Sequence, residues 1–311
     1  MTSQDWKPSA SKEALIKRAE LNANIRAFFA ERDVLEVETP ILNRYPVADA
    51  NIEPFELTAQ FHNGFLHTSP EYAMKRLLCA DVGDIYQICK VFRSGEAGGR
   101  HNPEFTMLEW YRIGFCLEQL MLEVAELLQL ALGSKQITYL TYQQALLQHA
   151  GIDVFKASDD DIKNAGQIIA GADLDLSRDG WLDIIMSHQV EPQLATDHLT
   201  FIHQYPASQA ALATLQDIDQ GEAVAQRFEV YYQGIELANG YHELTDAHEQ
   251  KQRFLKEVAE TNRSVDQFLC DALEHGMPQC SGVALGIDRL LMLQMGEKEI
   301  AKVLSFNSSI A

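Results

Sequence analysis

Residues 85–92 (IYQICKVF) and 104–112 (EFTMLEWYR) are strand-like runs joined by the Gly-rich polar stretch SGEAGGRHNP. That connection is longer than a tight turn and reads as a hairpin loop, which makes the two strands antiparallel. A second hairpin comes later: Arg227 to Tyr232, the turn pair Gln233-Gly234, then Ile235 to Ala238. Strands and helices are grouped rather than strictly alternating. This predicts an α+β fold, an antiparallel sheet flanked by helices, rather than a doubly wound parallel sheet. Neither a GxxxxGK-Ser/Thr loop nor a strand-GxGxxG-helix passage occurs, so any nucleotide would be held without those loops.

Ser11 is placed to cap a first helix running to about Arg32, with Ile16, Ala19, Ala23 and Ala27 along one face. The chain then extends from Val34 to Thr39 and stops at Pro40. Ser69-Pro70-Glu71 has the order N-cap, first helical residue, acidic first turn, and opens a helix carrying Met74, Leu77 and Leu78. Leu117, Leu120, Val124, Leu127, Leu128 and Ala131 mark an amphipathic helix closed by Gly133. His248 to Leu273 reads as one helix, and SGVALGIDRLLML as a Gly-containing strand running into a helix opened by Arg289. The expected organisation is a single domain over residues 1–311 with a mixed insertion at about 134–216, which holds a strand at Leu199 to His203.

The chain has 311 residues, 46% of them hydrophobic, enough to bury a core. Lys and Arg number 25 against 45 Asp and Glu, a formal net charge of −20. Nucleic acids are bound largely by neutralising phosphates. A broad nucleic-acid surface is therefore not expected, although a local basic pocket for a nucleotide stays open. The five cysteines are odd in number and form no CxxC pair, which fits a reducing compartment and argues against a disulfide framework or a zinc site. The first ten residues have no signal-peptide core, and no run of about 18 apolar residues occurs. The expected location is the cytoplasm, with no membrane partner.

Three strings carry residues suited to chemistry. In RFEVYYQGIELANGYHEL, a two-residue turn at Gln233-Gly234 sets Tyr232 opposite Ile235 and Tyr231 opposite Glu236. Glu229 and Glu236 are then diagonal cross-strand neighbours. Two carboxylates so close suit Mg²⁺ shared with phosphate oxygens, or else they are two glutamates on a solvated face. In VFRSGEAGGRHNPEFTMLEWYR, Phe105, Met107, Glu109 and Tyr111 share one strand face. Glu109 on so apolar a face needs a partner, either a ligand ammonium or a structural arginine. Arg93 ends the facing strand with a donor fork suited to carboxylate or phosphate. In SGVALGIDRLLML, Gly282, Ala284 and Gly286 allow close approach of a backbone or ligand, or else the string is a packed Gly-rich strand with Asp288 and Arg289 as a surface pair.

Taken together, these strings resemble the three motifs of class II aminoacyl-tRNA synthetases. RDVLEVETPIL resembles motif 1, VFRSGEAGGRHNPEFTMLEWYR motif 2 and GVALGIDRLLML motif 3, in matching order and separation. TSPEYAMKRLL, HNPEFTMLEWY and ELANGYHELTDAHEQKQRF are similar to the lysyl branch. Motif 1 begins within the first 40 residues, which leaves no room ahead of it for an anticodon-reading domain. Ala284 stands where lysyl-tRNA synthetases have glycine, and YPASQAAL is a further departure. In these features the chain resembles the elongation factor P lysine ligases.

That resemblance implies activation of (R)-β-lysine with ATP and Mg²⁺, transfer to a lysine side chain of elongation factor P, no tRNA, and a homodimer through motif 1, with Val34, Leu35, Val37 and Ile41 as apolar surface. It implies Arg93, Arg289 and Glu236 as catalytic residues. ATP would meet Arg93, Ser94, Gly95, His101, Asn102, Phe105, Glu236, Leu237, Gly286 and Arg289. Mg²⁺ would meet Glu229 and Glu236. Ser69 and Glu71 would take one substrate amino group. Glu109, Tyr111 and Glu243 would surround the distal ammonium, Asn239 would meet the carboxylate, and Ala284 would select β- over α-lysine. Motif 2 usually reads FRxE. Here Gly95 holds the place of the acid, so either Glu96 takes over or other groups hold adenine. A transferase with another acceptor is the neighbouring reading. A non-catalytic regulatory paralogue is disfavoured, because Arg93, Glu236 and Arg289 are all present.

Overall fold

Both expected hairpins form, and both lie in one sheet. The computed structural model describes residues 6–49, 52–59, 62–172, 174–218, 221–259, 261 and 263–311. The chain runs α1 (Lys12–Ala30), β1 (Leu35–Glu36), β2 (Leu42–Asn43), β3 (Glu56–Ala59), β4 (His62–Leu66), α2 (Glu71–Cys79), β5 (Ile85–Phe92), β6 (Glu104–Ile113) and α3 (Leu117–Leu132). It continues through β7 (Gln136–Thr141), α4 (Tyr142–Ala150), α5 (Asp159–Ala170), α6 (Arg178–Ile185), β8 (His198–Pro206) and β9 (Leu215–Asp217). The last elements are β10 (Ala223–Tyr232), β11 (Ile235–His242), α7 (Ala247–Ala259), α8 (Gln267–His275), β12 (Cys280–Gly286) and α9 (Ile287–Met295).

Among the described residues the main sheet has nine strands in the order β1-β5-β6-β12-β11-β10-β8-β7, with β9 beside β10. β1 with β5 and β7 with β8 are parallel. The other pairs are antiparallel, as the hairpins require. Alternation along the strands divides the packing. Leu108, Trp110, Phe228 and Leu285 point to a core closed by Phe29 of α1, Leu128 of α3 and Leu291 of α9. The opposite face is covered at its two ends only. Ile85 and Tyr111 pack with Met74 of α2 and Leu269 of α8, and Ile202 and Tyr231 pack with Tyr142 of α4 and Trp181 of α6. Between those two clusters the sheet floor is left open as a cleft. No described helix is long and apolar enough to cross a membrane.

Several local expectations change. Ser11 caps α1 by accepting from the Ala14 N–H, but the Ile16, Ala19, Ala23 and Ala27 face points outward, with Ile16 48% exposed. The packed face is Ala14, Leu21, Ile25, Phe28 and Phe29, because the aromatic pair at its C-terminal end offers far more apolar area than the alanines. Val34 joins the core while Leu35 and Ile41 stay exposed. The expected helix from His248 to Leu273 is two helices. Asp266 caps the second by accepting from the Phe268 and Leu269 N–H groups. Glu260 and Asn262 of the break lie outside the described residues. Residues 134–216 supply β7 and β8 to the main sheet, and α4 to α6 pack over that end.

Asp288 is not half of a surface pair. It is 1% exposed, accepts the Thr106 N–H of β6 at 2.6 Å and ion-pairs with Arg18 of α1. One carboxylate thus joins α1, β6 and α9. Removing it would strand a largely enclosed guanidinium and a backbone donor. Asp288→Ala is expected to lower stability by about 3–5 kcal/mol in a denaturant titration. A loss below about 1 kcal/mol would show that the junction contributes nothing special.

Candidate active site

The cleft floor is built from cross-strand rows. Glu109 of β6, Ala284 of β12, Asn239 of β11 and Glu229 of β10 are register partners in turn. Tyr111, Gly282, Tyr241 and Arg227 form the next row. Side chains directly opposite on neighbouring strands share a face, so eight residues from four strands line one surface. Glycine at 282 is required by that row. A Cβ there would sit 2.3 Å from the Tyr111 ring and 2.6 Å from Glu243 Oε1. The cleft has a volume of about 1060 Å³.

One end of the cleft is acidic. Glu109 is 2% exposed and accepts from Ser69 Oγ and Tyr111 OH, both at 2.7 Å. Its partners are hydroxyls, not the arginine that sequence reasoning weighed. Ser69 Oγ also accepts the Glu71 N–H at 3.0 Å, which holds the start of α2 at the site. Glu71 and Glu243 flank the buried Lys75, whose Nζ lies 2.7 Å from Glu71 and 2.6 Å from Glu243. Burial alone would strip the proton from Lys75, but the two carboxylates outweigh it and keep the ammonium charged. Burial and the nearby Glu71 push Glu109 up to about 8. Burial pushes Glu243 up to about 7 against the pull of Lys75. Asn239 Oδ1 is buried with no hydrogen-bond partner among the described residues. A buried polar atom left without a partner is costly, and this one marks where a polar ligand group would sit.

The other end carries arginines and further carboxylates. The Gln233-Gly234 turn has positive φ at both residues, 53° and 66°, the geometry that twists a two-residue hairpin correctly. Tyr231 faces Glu236 and Tyr232 faces Ile235, as the turn predicts, but Val230 then pairs with Ala238, so Leu237 is an extra residue. Leu237 and Ala238 both enter the core. The bulge brings Glu236 and Asn239 onto the same face, where strict alternation would separate them. Arg289 Nη1 donates to the Glu236 backbone carbonyl at 3.1 Å and lies 3.4 Å from its carboxylate. Arg289 Nη2 lies 2.7 Å from His101 Nε2. Burial and Arg289 hold His101 below its ordinary value, so the ring accepts this bond as a neutral imidazole. Arg93 pairs with Glu96 at 3.1 Å, and its guanidinium lies 5.1 Å from the centre of the Phe105 ring.

Most residues expected from sequence line this cleft. Ser94 and Gly95 do not. The Glu96 N–H to Arg93 carbonyl bond turns the chain there, leaving both exposed and directing Glu96 inward. Asn102 lines the cleft, but its amide is engaged by the Glu104 carbonyl at 2.6 Å and the Ser308 N–H at 3.1 Å. Gly286 borders Arg289 without crowding, since a Cβ there would lie 3.9 Å from the Arg289 side chain, an ordinary contact. Sequence reasoning missed Lys75, Arg227, Tyr241 and Glu191. Lys75 had a signal, since it stands one helical turn from Glu71. Glu191 had none, because it comes from the 134–216 stretch.

Glu229 accepts from Arg227 at 2.5 Å and from the Tyr231 hydroxyl. Enclosure in the cleft and repulsion from Glu229 push Glu236 up. Burial, with Glu236 and Glu229 beside it, pushes Glu191 up to about 7. Among the described residues no three metal-binding side chains converge on one point. Glu229 and Glu236 would offer oxygen ligands to Mg²⁺, with Arg227 and Arg289 already beside them, and such an ion would take its remaining ligands from phosphates and water.

A mainly antiparallel sheet, with a hairpin carrying Arg93, a second carrying Glu236, and a strand-to-helix passage ending in Arg289, defines the catalytic fold of a class II synthetase. The tRNA synthetases class II (D, K and N) pattern matches residues 3–309, and the chain belongs to that family. Within it, the chain is 47% identical to proteins named Elongation factor P--(R)-beta-lysine ligase from Salmonella typhi, Salmonella paratyphi B and Salmonella schwarzengrund, over 97% of this chain and 97% of each relative.

The raised carboxyls have a consequence for binding. Were a cationic ligand to bind against Glu109 and Glu243, both would have to be ionised, so below about pH 8 its arrival would expel protons. The KM for a diamino acid is therefore expected to fall as pH rises from about 6 to 8, by up to about tenfold per unit for each proton released, and then to level off. Pyrophosphate exchange at saturating ATP measures this, and a flat profile would show the carboxyls already ionised.

Proposed function

We propose that this chain is an ATP-dependent, AMP-forming ligase that activates (R)-β-lysine as its adenylate and transfers it to a lysine side chain of elongation factor P. The observation that carries the reading is one cleft with two unlike ends: a buried group of carboxylates at one, Arg93 and Arg289 at the other. The first suits a substrate with two ammonium groups and the second a triphosphate. The relatives reported above carry the name Elongation factor P--(R)-beta-lysine ligase, which supports the acceptor and the amino acid of this reading. The cleft residues act as one catalytic domain in this reading, with residues 134–216 as its insertion and wall.

The amino acid would lie along the Glu109–Ala284–Asn239 row with its ammonium groups toward Glu71, Glu109 and Glu243. Its carboxylate then points toward Arg93, and adenine lies against Phe105. Glu236 and Glu229 would hold Mg²⁺, which would neutralise phosphate charge. The carboxylate attacks the α-phosphorus in line and pyrophosphate leaves, while Arg93 and Arg289 stabilise the charge that builds up. The acceptor amine then attacks the acyl carbon. A C–N bond forms, the bond to AMP oxygen breaks, and the nitrogen gives up a proton. The proposed setting is the cytoplasm, supported by five free thiols.

We also assign a homodimer. Leu35 at 53%, Ile41 at 42% and the outward apolar row of α1 supply exposed apolar surface on and near the motif 1 segment. Light scattering at micromolar concentration is expected to give twice the chain mass, and a fully active monomer would sink this assignment.

The decisive assay is amino-acid-dependent ATP–pyrophosphate exchange with β-lysine and α-lysine side by side. Exchange is expected with β-lysine preferred, and Glu236→Gln is expected to lose nearly all of it with the fold intact. Ala284→Gly should raise kcat/KM for α-lysine by roughly 10–200-fold relative to β-lysine, since a single methyl in a tight site is worth that much. Robust charging of purified tRNA, or no exchange with either isomer, would overturn the proposal.

A further inference from the structure

Three carboxylates meet at the amino-acid end of the cleft, and a substrate with two ammonium groups brings only two cations. Lys75 supplies the third. It is 1% exposed, comes from α2 one turn after Glu71, and places its ammonium between Glu71 Oε1 at 2.7 Å and Glu243 Oε2 at 2.6 Å. Building on the reading of this pocket as a diamino-acid site, we propose that Lys75 is a positioning and specificity residue, a resident ammonium that leaves the three ionised carboxylates two positive charges short of neutral and so matched to a diammonium substrate.

The geometry gives it two tasks. First, it holds one oxygen of Glu243 and leaves the other free. Glu243 Oε1 lies over the open space above Gly282, 2.6 Å from where a Cβ would be. Glu243 thus lines the cleft while the cation that holds it does not. Second, its charge pulls Glu243 toward the ionised form, against burial and the repulsion of Glu71, which both favour the neutral acid. An amino acid with a single ammonium leaves one carboxylate uncompensated, and a buried unpaired charge is strongly disfavoured.

The other titratable groups around Lys75 do not compete for this role. Tyr72 and Cys79 on α2, Tyr111 on β6, Tyr241 on β11 and Cys280 on β12 are all pushed up by burial, away from neutral pH. Among the described residues around Lys75, Glu109 and Glu243 are left to respond when the ammonium is removed.

The test is pyrophosphate exchange on wild type, Lys75→Met and Lys75→Arg, with KM measured for lysine isomers and for ATP from about pH 6 to pH 9. Lys75→Met is expected to raise the amino-acid KM at least tenfold at neutral pH, with ATP KM within about twofold, and to move the pH where the amino-acid KM levels off upward by about one unit. Lys75→Arg keeps the charge and should keep the wild-type pH profile, even where its bulk raises KM. A Lys75→Met profile that levels off at the wild-type pH, or equal losses for both substrates, would reduce Lys75 to an ordinary fold contact. Should Lys75→Met not fold, Lys75→Arg alone decides: a shifted pH profile in the charge-conserving variant overturns the assignment, and an unshifted one with raised amino-acid KM supports it. Wild type that exchanges with neither isomer sinks the proposed function itself, whereas active wild type with either adverse result above sinks only the role of Lys75.

Discussion

The extra residue at Leu237 sets the direction of every side chain that follows it in β11. A strand alternates faces at each residue, so Glu236 and Asn239, three apart, belong on opposite sides of a regular strand. With Leu237 and Ala238 both turned into the core opposite Val230, the phase shifts by one. Glu236, Asn239 and Tyr241 then all meet the cleft. Without the bulge, the carboxylate beside Arg289 and the amide beside Ala284 could not serve one ligand. Bulges re-aim side chains next to functional sites for this reason.

The second constraint is the burial of charge. The floor of the cleft carries Glu109, Glu243, Lys75, Glu229 and Arg227 in surroundings of low exposure. Each is compensated in a different way. Glu109 relies on hydroxyls and retains a raised pKa, Glu229 is held by Arg227 and Tyr231, and Lys75 sits between two carboxylates. A buried ion pair is weak evidence for stability, because desolvation offsets most of the attraction. In the proposed function such a pocket is a preorganised receptor, in which incoming ammonium groups would complete a set of interactions the protein leaves short. The glycines fit this view. Gly282 leaves room between Tyr111 and Glu243, and Gly240, on the opposite face, leaves room for the Phe228 ring and Val283 of the core.

Much of this was readable in the chain. Turn chemistry at Gln233-Gly234 and the alternation of Glu104 to Arg112 are local, and they set the antiparallel sheet, the pairing of Tyr231 with Glu236, and the face shared by Met107, Glu109 and Tyr111. Ser11 and Gly133 marked helix ends because caps satisfy backbone groups within one turn. The motif strings, by resemblance, pointed to the family. Failures came where a choice depended on what packs from afar. The face of α1 was decided by Phe28 and Phe29 meeting the sheet, not by its alanine row. Asp288 was decided by Arg18, far away in sequence.

The sequence by itself therefore determined the fold class, the two hairpins and the chemical inventory of the site, since each follows from turn geometry, alternation and side-chain type. Only the tertiary structure decided which inventory items meet. The phase shift in β11 arises from pairing with β10, and Glu243 meets Lys75 only because β11 and α2 converge. Glu191 enters the cleft near Glu236 and Arg289 because β8 and β7 draw residues 134–216 onto the sheet. Contacts of that kind depend on register and distance between segments remote in the chain, and no local pattern encodes them.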